Sequence, residues 1–325
     1  MITATDIFSI VNRKNFDKIA LKIFRYQYDS NLVYREFCEH LKVKKDAVKL
    51  VRQIPFLPIE FFKSHEVTTK AEVDIEFTSS GTTGAITSRH LVHDLEIYKQ
   101  SFRQGFARTY GNIEDFTVLA LLPSYLQRQG SSLIYMVSDL IKASNHRDSG
   151  FYLDNIEELA QKLNELDKSG QNVILIGVSY ALLDLIEYQK FNLHNTIVME
   201  TGGMKGRRKE LIREELHELL CKGFGVSKIH SEYGMTELLS QAYSTGNGVF
   251  ECPPWMNILI RDPEDALAYM ADGKSGGINV IDLANVYSCS FIATQDLGKV
   301  LPNDQFEILG RFDNSDIRGC NLMVL

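Results

Sequence analysis

The chain has 325 residues, of which 44% are apolar and 24% are charged, a balance ordinary for a globular protein with one large domain or two lobes. Its net charge of −7 argues against a nucleic-acid-binding surface, and its five cysteines, without a Cys-x-x-Cys pair, argue against a disulfide framework and a structural zinc site. No signal peptide is visible and the most apolar stretch, 173–186, is too short to span a bilayer, so a cytoplasmic protein without a membrane span is predicted.

The first third of the chain leads into a loop of small polar residues. Residues 1–52 have the apolar spacing of helices, and two prolines in 54–65 predict an extended, largely buried segment. Residues 73–77 alternate as a strand does and precede Thr78-Ser-Ser-Gly-Thr-Thr-Gly84, which combines five hydroxyl residues with two glycines. Such a loop can cradle phosphate oxygens, although it lacks the Walker pattern and an ordinary turn is the alternative.

Strand, loop and helix then recur. Continuous apolar runs of strand length occupy 116–122, 173–177 and 196–199, as expected where helices cover both faces of a sheet. This recurrence predicts an α/β fold with a largely parallel sheet. From residue 251 short strands and turns take over, so we expect an α/β core over 1–250, with a helical N-terminal segment, and a smaller β-rich lobe over 251–325.

Local signals predict where individual helices begin and end. Asp94 is expected to cap one helix, and the capping box Asp154-Asn-Ile-Glu157 to open another. Gly223 is expected to end the helix whose apolar positions are Leu211, Ile212, Leu216, Leu219 and Leu220.

Ligands of a doubly wound sheet bind at loops after the carboxyl ends of its strands. The sequence places four loops there: 78–84, 123–132, 200–208 and 231–237. In the last of them, Ser231-Glu-Tyr-Gly-Met-Thr-Glu237, a carboxylate beside a hydroxyl could hold Mg²⁺ on a triphosphate. The motif is weak alone, but paired with the upstream Thr/Ser/Gly loop it is a strong indication.

The pair resembles the phosphate loop and the Tyr-Gly-x-Thr-Glu motif of the adenylate-forming superfamily. Thr294-Gln-Asp-Leu-Gly298 and Gly310-Arg-Phe-Asp313 resemble two further motifs of that superfamily, in the expected order. Within it, Ile54–His65, Leu122–Leu126 and Arg318-Gly-Cys320 resemble most the bacterial acyl-protein synthetases, which form the synthetase component of fatty-acid reductase complexes. The resemblance extends from about residue 50 to the end of the sequence.

The resemblance implies an ATP- and Mg²⁺-dependent ligase that converts a carboxylic acid, in this family a fatty acid, to an acyl-adenylate and passes the acyl group to a protein cysteine thiol. Thr236 would contact the α-phosphate, Glu237 would hold Mg²⁺, and Tyr233 would stack on adenine. The implied nucleotide-binding residues are Thr78, Ser79, Ser80, Gly81, Thr82, Thr83 and Gly84 for the β- and γ-phosphates, Gly202, Gly203, Tyr233 and Gly234 around adenine, and Asp296 and Arg311 for the ribose. Residues 123–132 would border the acyl site.

The structural alternatives are ordinary turn hydrogen bonding for the loop residues and, for Asp296 and Arg311, a surface ion pair worth under about 1 kcal/mol.

The sequence departs from the superfamily at its C-terminal end. Most members continue into a mobile domain that carries a catalytic lysine, and the expected fold is therefore an adenylating core without that domain. Lys205, with Arg207 and Arg208, could supply the missing cation; solvated charge at a helix start is the alternative. Cys320 is the implied acyl-accepting nucleophile, with a small buried hydrophobe as its alternative.

The expected partners are a carboxylic acid substrate and an acyl reductase or acyl-carrier protein. Two other enzymes fit the same motifs: an acid–coenzyme A ligase of the phenylacetate type, and an enzyme that adenylates a small acid for a cell-surface compound. A different class of protein, a subunit that binds nucleotide or acyl group without turnover, is also compatible with the missing lysine.

Overall fold

The computed structural model describes residues 2–79, 87–122, 130–153, 155–203, 208–209 and 211–312. These residues fall into two compact units, which we call the central unit (62–66 and 70–253) and the split unit (1–61, 67–69 and 254–325). The contacts thus group the first 61 residues with the strands that follow residue 254. The domain division predicted at residue 250 stays a prediction. No helix in the described part of the chain is long and apolar enough to cross a membrane.

The secondary structure of the described residues, in chain order, is as follows. The helices are α1 (Ala4–Phe8), α2 (Arg13–Ser30), α3 (Leu32–His40), α4 (Phe61–Ser64), α5 (Leu95–Tyr110), α6 (Ser132–Ser144), α7 (Ile156–Lys168), α8 (Ser179–Tyr188) and α9 (Arg213–Phe224). The strands are β1 (Leu57–Pro58), β2 (Ile75–Thr78), β3 (Arg89–Val92), β4 (Thr117–Leu121), β5 (Gly150–Phe151), β6 (Val173–Val178), β7 (Thr196–Thr201), β8 (His230–Tyr233), β9 (Ala242–Ser244), β10 (Val249–Glu251), β11 (Met256–Arg261), β12 (Ser275–Asp282), β13 (Phe291–Val300) and β14 (Phe306–Arg311).

The central unit is built on a largely parallel sheet. Its strands lie in the order β5-β4-β6-β7-β8-β9-β10, and those from β4 to β8 pair in parallel, whereas β9 and β10 pair antiparallel. Every residue of β4 and β6 is buried, as a strand covered on both faces requires. The three apolar runs predicted as strands are therefore confirmed, and so is the predicted α/β fold.

The helix caps follow the sequence in one case and differ in another. Asp94 caps α5 as predicted, since its carboxylate accepts hydrogen bonds from the backbone N–H groups of Glu96 (3.1 Å) and Ile97 (3.2 Å). The N-cap of α7 is Asn155, which accepts from the N–H of Glu158 at 3.1 Å. The predicted capping box is therefore wrong by one residue, and Asp154 itself lies outside the described residues.

Helix α9 ends later than predicted. It continues to Phe224, and Gly225 adopts the left-handed conformation (φ +71°) that closes it. Gly223 has a packing role instead, because a Cβ atom there would lie 2.6 Å from side-chain atoms of Ile186 on α8. The glycine predicted to stop the helix is the one that lets two helices approach closely.

The Thr/Ser/Gly loop does not follow a strand of the parallel sheet. Strands β2 and β3 form a separate two-stranded antiparallel sheet, and 79–88 connects them. The expectation that 78–84 follows the carboxyl end of a parallel strand is thus wrong, because Arg89–Val92 turns back to pair with Ile75–Thr78. Strands β4, β6, β7 and β8 pair in parallel, so the carboxyl ends of β4, β7 and β8 lie at one edge of the sheet, as predicted.

The split unit combines helices from the start of the chain with antiparallel strands from its last quarter. Strands β11 to β14 pair consecutively, and the short β1 pairs in parallel with β13 through Leu57 and Ile292. The proline-rich segment is extended and buried only in its first half. Its second half contains helix α4 and exposed residues, so the prediction of an extended, largely buried segment over 54–65 is wrong there. Helix α2 is fixed to this unit by Gln27, whose buried amide donates to the carbonyls of Asn285 (3.0 Å) and Val286 (2.9 Å). The β-rich C-terminal region expected from the sequence is confirmed.

Candidate active site

The residues predicted to bind ATP are divided between the two units. The central unit contains Thr78, Ser79, Gly202, Gly203, Tyr233, Gly234, Thr236 and Glu237. The split unit contains Asp296 and Arg311. Three sets lie outside the described residues: Ser80, Gly81, Thr82, Thr83 and Gly84; Lys205; and Cys320.

The 233–237 loop leaves the carboxyl end of β8 and presents a buried carboxylate. Glu237 is only 5% exposed, and Thr236 beside it is half-buried. Tyr233 is buried and packs edge-on against Phe250, with ring centroids 6.1 Å apart. A carboxylate and a hydroxyl on adjacent residues at this edge of the sheet have the chemistry to hold a hydrated Mg²⁺ ion on a triphosphate.

The base of the Thr/Ser/Gly loop is held by backbone hydrogen bonds. The N–H of Ser79 donates to the carbonyl of Ser88 at 3.0 Å, and the N–H of Ser88 donates to the Ser79 hydroxyl at 2.8 Å. The N–H of Thr78 donates at 2.8 Å to the carbonyl of Gly130. A Cβ atom on Gly130, whose φ is +86°, would lie 3.0 Å from the Thr78 hydroxyl. The end of the 123–132 loop therefore lies directly against the start of the predicted phosphate loop.

A buried ionic network that the sequence reasoning missed surrounds Glu200, near the carboxyl end of β7. Its carboxylate accepts hydrogen bonds from Arg213 Nη1 (2.7 Å) and from the hydroxyls of Ser231 (2.9 Å) and Ser179 (3.2 Å). Burial acts to raise the pKa of Glu200, but the His217 imidazole, 3.5 Å away, and the Arg213 charge outweigh it, so the pKa lies below its ordinary value. The carboxylate is thus ionised and ties β7 to β8, α8 and α9.

A second carboxyl group, that of Glu232, lies on β8 beside this network. The Thr201 hydroxyl donates to Glu232 Oε2 at 2.6 Å, and the two residues are register partners in the sheet. Burial raises the pKa of Glu232 to about 7, so the group gains or loses a proton near neutrality. A Cβ atom on Gly234 would lie 2.4 Å from Glu232 Oε1, so a larger residue there would require the Glu232 carboxyl group to shift.

Glu200 and Glu232 fall within the predicted loops 200–208 and 231–237, but the structure places them at the ends of strands β7 and β8. The signal in the sequence that could have identified them is a charged residue at the end of an apolar strand. Nothing in the neighbouring sequence indicated which residues they contact.

Among the cations proposed to replace the lysine, Arg208 is already paired. Its guanidinium donates two hydrogen bonds of 2.6 Å to Glu187 and also contacts Asp184 on α8. Arg208 is thus a partner of helix α8 and not a solvated charge at a helix start, since α9 begins only at Arg213. Lys205 and Arg207 lie outside the described residues, so their part in this role stays a prediction.

No group of three or more His, Cys, Asp or Glu side chains that could hold a metal occurs in the described part of the chain. Mg²⁺ on a nucleotide triphosphate needs only one or two carboxylates, because phosphates and water supply the remaining ligands. The buried Glu237 fits that requirement. The four described cysteines include Cys38, where burial raises the pKa of the thiol to about 12 and makes it a poor nucleophile.

In the split unit, Asp296 and Arg311 are cross-strand partners on β13 and β14. Arg311 Nε lies 3.3 Å from Asp296 Oδ1, and the arginine side chain is 73% exposed while the aspartate is largely buried. The two residues therefore form the ion pair that was the alternative to a role in ribose binding. The backbone N–H of Asp296 also donates a hydrogen bond to the Thr294 hydroxyl at 3.1 Å, which fixes the aspartate. Their predicted role at the ribose stays a prediction.

Comparison with known proteins identifies relatives along almost the whole chain. A family model described as "Acyl-protein synthetase, LuxE" matches residues 8–325. The long-chain-fatty-acid–luciferin-component ligase of Vibrio harveyi is 27% identical over 322 residues, which cover 92% of this chain and 84% of the relative. The corresponding ligase of Aliivibrio fischeri is 25% identical over 332 residues, covering 94% of this chain and 86% of the relative.

Two solved structures illustrate the similarity in fold. A 2-hydroxyisobutyryl-CoA ligase in complex with 2-HIB-AMP and CoA superposes with a TM-score of 0.70 at 13% identity, covering 93% of this chain and 70% of that one. ATP-bound MatB from Rhodopseudomonas palustris gives a TM-score of 0.56 at 17% identity, covering 75% of this chain and 49% of that one. These likenesses confirm the predicted adenylate-forming fold.

Proposed function

Because the chain belongs to the LuxE acyl-protein synthetase family, we propose that it activates a long-chain fatty acid with ATP as an acyl-adenylate and transfers the acyl group to a protein cysteine thiol. The chain length is proposed from the ligases of Vibrio harveyi and Aliivibrio fischeri, whose names specify a long-chain fatty acid. An acyl reductase that consumes the acyl-protein is the proposed partner.

The observation that carries the proposal is the buried Glu237 beside Thr236, joined through the Thr236 carbonyl to the hairpin that bears Thr78. A single rigid arrangement then contains a carboxylate suited to Mg²⁺, a hydroxyl suited to the α-phosphate, and the base of a phosphate loop. Bound Mg²⁺ would supply charge neutralisation at the phosphates. The protein would supply orientation of the α-phosphate and exclusion of water.

The proposed chemistry has two displacement steps. First, a carboxylate oxygen of the acid attacks the α-phosphorus of ATP, the bond to the bridging oxygen breaks, and pyrophosphate leaves with the electron pair. Then a thiolate attacks the carbonyl carbon of the acyl-adenylate, and AMP leaves. Cys320 is the proposed thiolate, from the family resemblance of Arg318-Gly-Cys320. Positioning and electrostatic stabilisation account for the rate, since no side chain is consumed in the first step.

The remaining roles follow the motifs. Tyr233, with Gly202 and Gly203, is proposed to bind adenine, and Asp296 with Arg311 is proposed to bind the ribose hydroxyls. Thr78–Gly84 is proposed to bind the β- and γ-phosphates.

The first test is ATP–pyrophosphate exchange with a panel of long-chain, aryl and short hydroxy acids. We expect exchange that depends on long-chain acids and falls by about 10²- to 10³-fold in Glu237→Ala. Glu218→Ala is the matched control, because Glu218 is an exposed glutamate paired with Lys222 on the surface of α9. If only short acids support exchange, the substrate is a short acid and not a long-chain fatty acid. If ATP binds but no acid supports exchange, the protein is a nucleotide-binding subunit and the proposal fails.

The acceptor is tested by transfer of a radiolabelled acyl group in the presence and absence of coenzyme A. We expect label on the protein that hydroxylamine releases and that Cys320→Ser abolishes, while Cys221→Ser, a change at a half-buried cysteine of α9, retains it. Acyl-coenzyme A as the main product, with an unlabelled protein, would establish the acid–coenzyme A ligase instead.

A further inference from the structure

The hairpin β2–β3 is attached to the rest of the central unit by means other than the main sheet. Its two strands pair with each other in a two-stranded sheet. One side is held by aromatic packing, since Phe77 lies 5.4 Å from Tyr98 on α5 and 5.8 Å from Tyr135 on α6, measured between ring centroids. Because this hairpin carries the start of the predicted phosphate loop, the contacts that fix it also fix the place where that loop begins.

His90 joins the hairpin to the loop that contains Glu237. It lies on β3 opposite Phe77, one residue away from the pair formed by Thr78 and Arg89. Its imidazole is fully buried, and Nδ1 lies 2.7 Å from the carbonyl oxygen of Thr236. The bond spans 146 residues of sequence and connects the two elements to which the proposed function assigns opposite ends of the triphosphate.

The chemistry of this contact fixes the state of the imidazole at Nδ1. A carbonyl oxygen can only accept, so Nδ1 carries the proton and donates it. The ring is further fixed by edge-on packing against Phe62, with ring centroids 5.7 Å apart. A short, buried hydrogen bond from a ring packed against Phe62 sets the position of the Thr236 carbonyl, and with it the backbone from which the Thr236 and Glu237 side chains project.

We propose that His90 is a positioning residue that holds the 233–237 loop at a fixed distance from the phosphate-loop hairpin. The inference rests on the function proposed above, because it gives His90 no contact with a substrate. Loss of the donor leaves the Thr236 carbonyl without this partner and frees the loop to shift relative to Thr78. A displacement of this kind affects the alignment needed in the transition state more than it affects binding of the nucleotide.

Three substitutions separate the hydrogen bond from the packing of the ring. His90→Asn keeps an amide donor near the position of Nδ1, His90→Phe keeps an aromatic ring against Phe62 without a donor, and His90→Ala removes both. We expect kcat of pyrophosphate exchange to fall about 10- to 100-fold in the Phe and Ala variants, with a smaller change in KM for ATP, and to stay within about threefold in the Asn variant.

The matched control is His93→Ala. His93 lies three residues further on, and its Nδ1 also contacts a backbone carbonyl, that of Glu72, on the exposed side of the hairpin. Equal activity of His90→Phe and the wild type, or an equal loss in His90→Asn and His90→Ala, would overturn the inference while leaving the proposed ligase intact.

Amide hydrogen exchange gives a readout that does not depend on turnover. In His90→Phe we expect faster exchange in peptides covering 233–239, with peptides covering β4 and β6 unchanged. If the wild type shows no pyrophosphate exchange, the proposed ligase fails, and unchanged hydrogen exchange at 233–239 in the variant would independently overturn the role of His90.

Discussion

The two units bury polar side chains in different ways. In the split unit the buried side chains that hold helix α2 are neutral amides bonded mainly to backbone groups: Gln27 to two carbonyls and to the Ser290 N–H, and Asn31 to the Ser288 carbonyl. The buried carboxylates of this unit, Asp282 and Asp296, lie on its strands instead. In the central unit the buried groups include charges, with Glu200 against Arg213 and Glu232 against Thr201.

The difference indicates which unit contains the buried charged groups typical of a functional site. A neutral amide bonded to backbone costs little to bury and fixes one arrangement of helix and strand. A buried charge is costly unless it is paired, and clusters of shifted pKa values are typical of functional sites. Glu200 and Glu232 lie at the carboxyl ends of parallel strands, where an α/β sheet binds its ligands. Substitutions that alter charge and substitutions that alter neutral hydrogen bonds should therefore have separable effects.

The largest effect is expected from Arg213→Met. The arginine is the charged partner of Glu200, and its removal leaves an uncompensated carboxylate in the interior, at a cost of about 3–5 kcal/mol in the free energy of unfolding. Urea denaturation measures the loss. The double variant Glu200→Gln/Arg213→Met removes both charges and should regain at least half of it. Equal destabilisation of the single and double variants would show that packing against Phe250, not charge, is what Arg213 supplies.

A smaller loss of stability, about 2–3 kcal/mol, is expected from Gln27→Leu, which leaves two carbonyls and one N–H without their buried partner. Pyrophosphate exchange per folded molecule should be unchanged, because the Gln27 amide is neutral and its role is to hold helix α2 in place. Thermal unfolding tests the expected loss of stability, and a pyrophosphate exchange assay on the same sample tests the expected unchanged activity. Gln161→Leu, an exposed glutamine bonded to Glu165 on α7, is the control and should change stability by less than about 0.5 kcal/mol.

The pH dependence of stability tests the buried carboxyl group itself. Glu232 has a folded-state pKa of about 7 against an ordinary value of 4.5, so the folded protein binds the proton more tightly than the unfolded chain. Its contribution is therefore favourable at low pH and is lost as pH rises from about 4.5 to about 7. A side chain with some solvent contact supports a difference on the order of 2 kcal/mol.

In Glu232→Gln this contribution is absent. Between pH 5 and pH 8 the wild type should lose about 2 kcal/mol more unfolding free energy than the variant does, as measured by urea denaturation at each pH. Parallel pH curves for the two proteins would mean that Glu232 is ionised throughout this range.

The smallest effect on stability is expected from Arg311→Ala, because an exposed ion pair is worth under about 1 kcal/mol. If the proposed ribose contact is correct, KM for ATP should nevertheless rise about tenfold, since a charged hydrogen bond to a ligand is worth about 1.5 kcal/mol. Lys299→Ala, which removes a cross-strand pair with Glu307 on the same two strands, should leave KM unchanged. An unchanged KM in both variants would mean that Arg311 does not contact the ribose and forms only a surface ion pair.

The sequence was sufficient for what local pattern determines. Apolar runs predicted β4, β6 and β7, and Asp94 predicted the start of α5, because burial on both faces and helix capping leave marks within a few residues. It was insufficient where partners are distant. The role of Gly223 depends on Ile186 of another helix, and the hairpin position of the Thr/Ser/Gly loop depends on how β3 turns back.

The candidate site shows the same division. Glu237 and Thr236 were predicted from a motif, whereas the links that hold them were not. His90 is 146 residues from Thr236, and Arg213 reaches Glu200 only because a helix begins beside the strand. Motifs indicate which residues are expected to contact the ligand, whereas the residues that hold them in position are distant in the sequence and are identified only from the structure.

The split unit has a consequence for synthesis of the chain. About 190 residues separate the end of its first segment at residue 61 from the start of its last at residue 254. At translation rates of about 5–20 residues per second, the N-terminal helices emerge roughly 10–40 s before the strands that bury Phe24 and Gln27 exist. The central unit can fold during that interval, whereas the first 61 residues have to wait with apolar surface exposed. Nascent chains halted near residue 250 should therefore bind chaperones through their N-terminal helices.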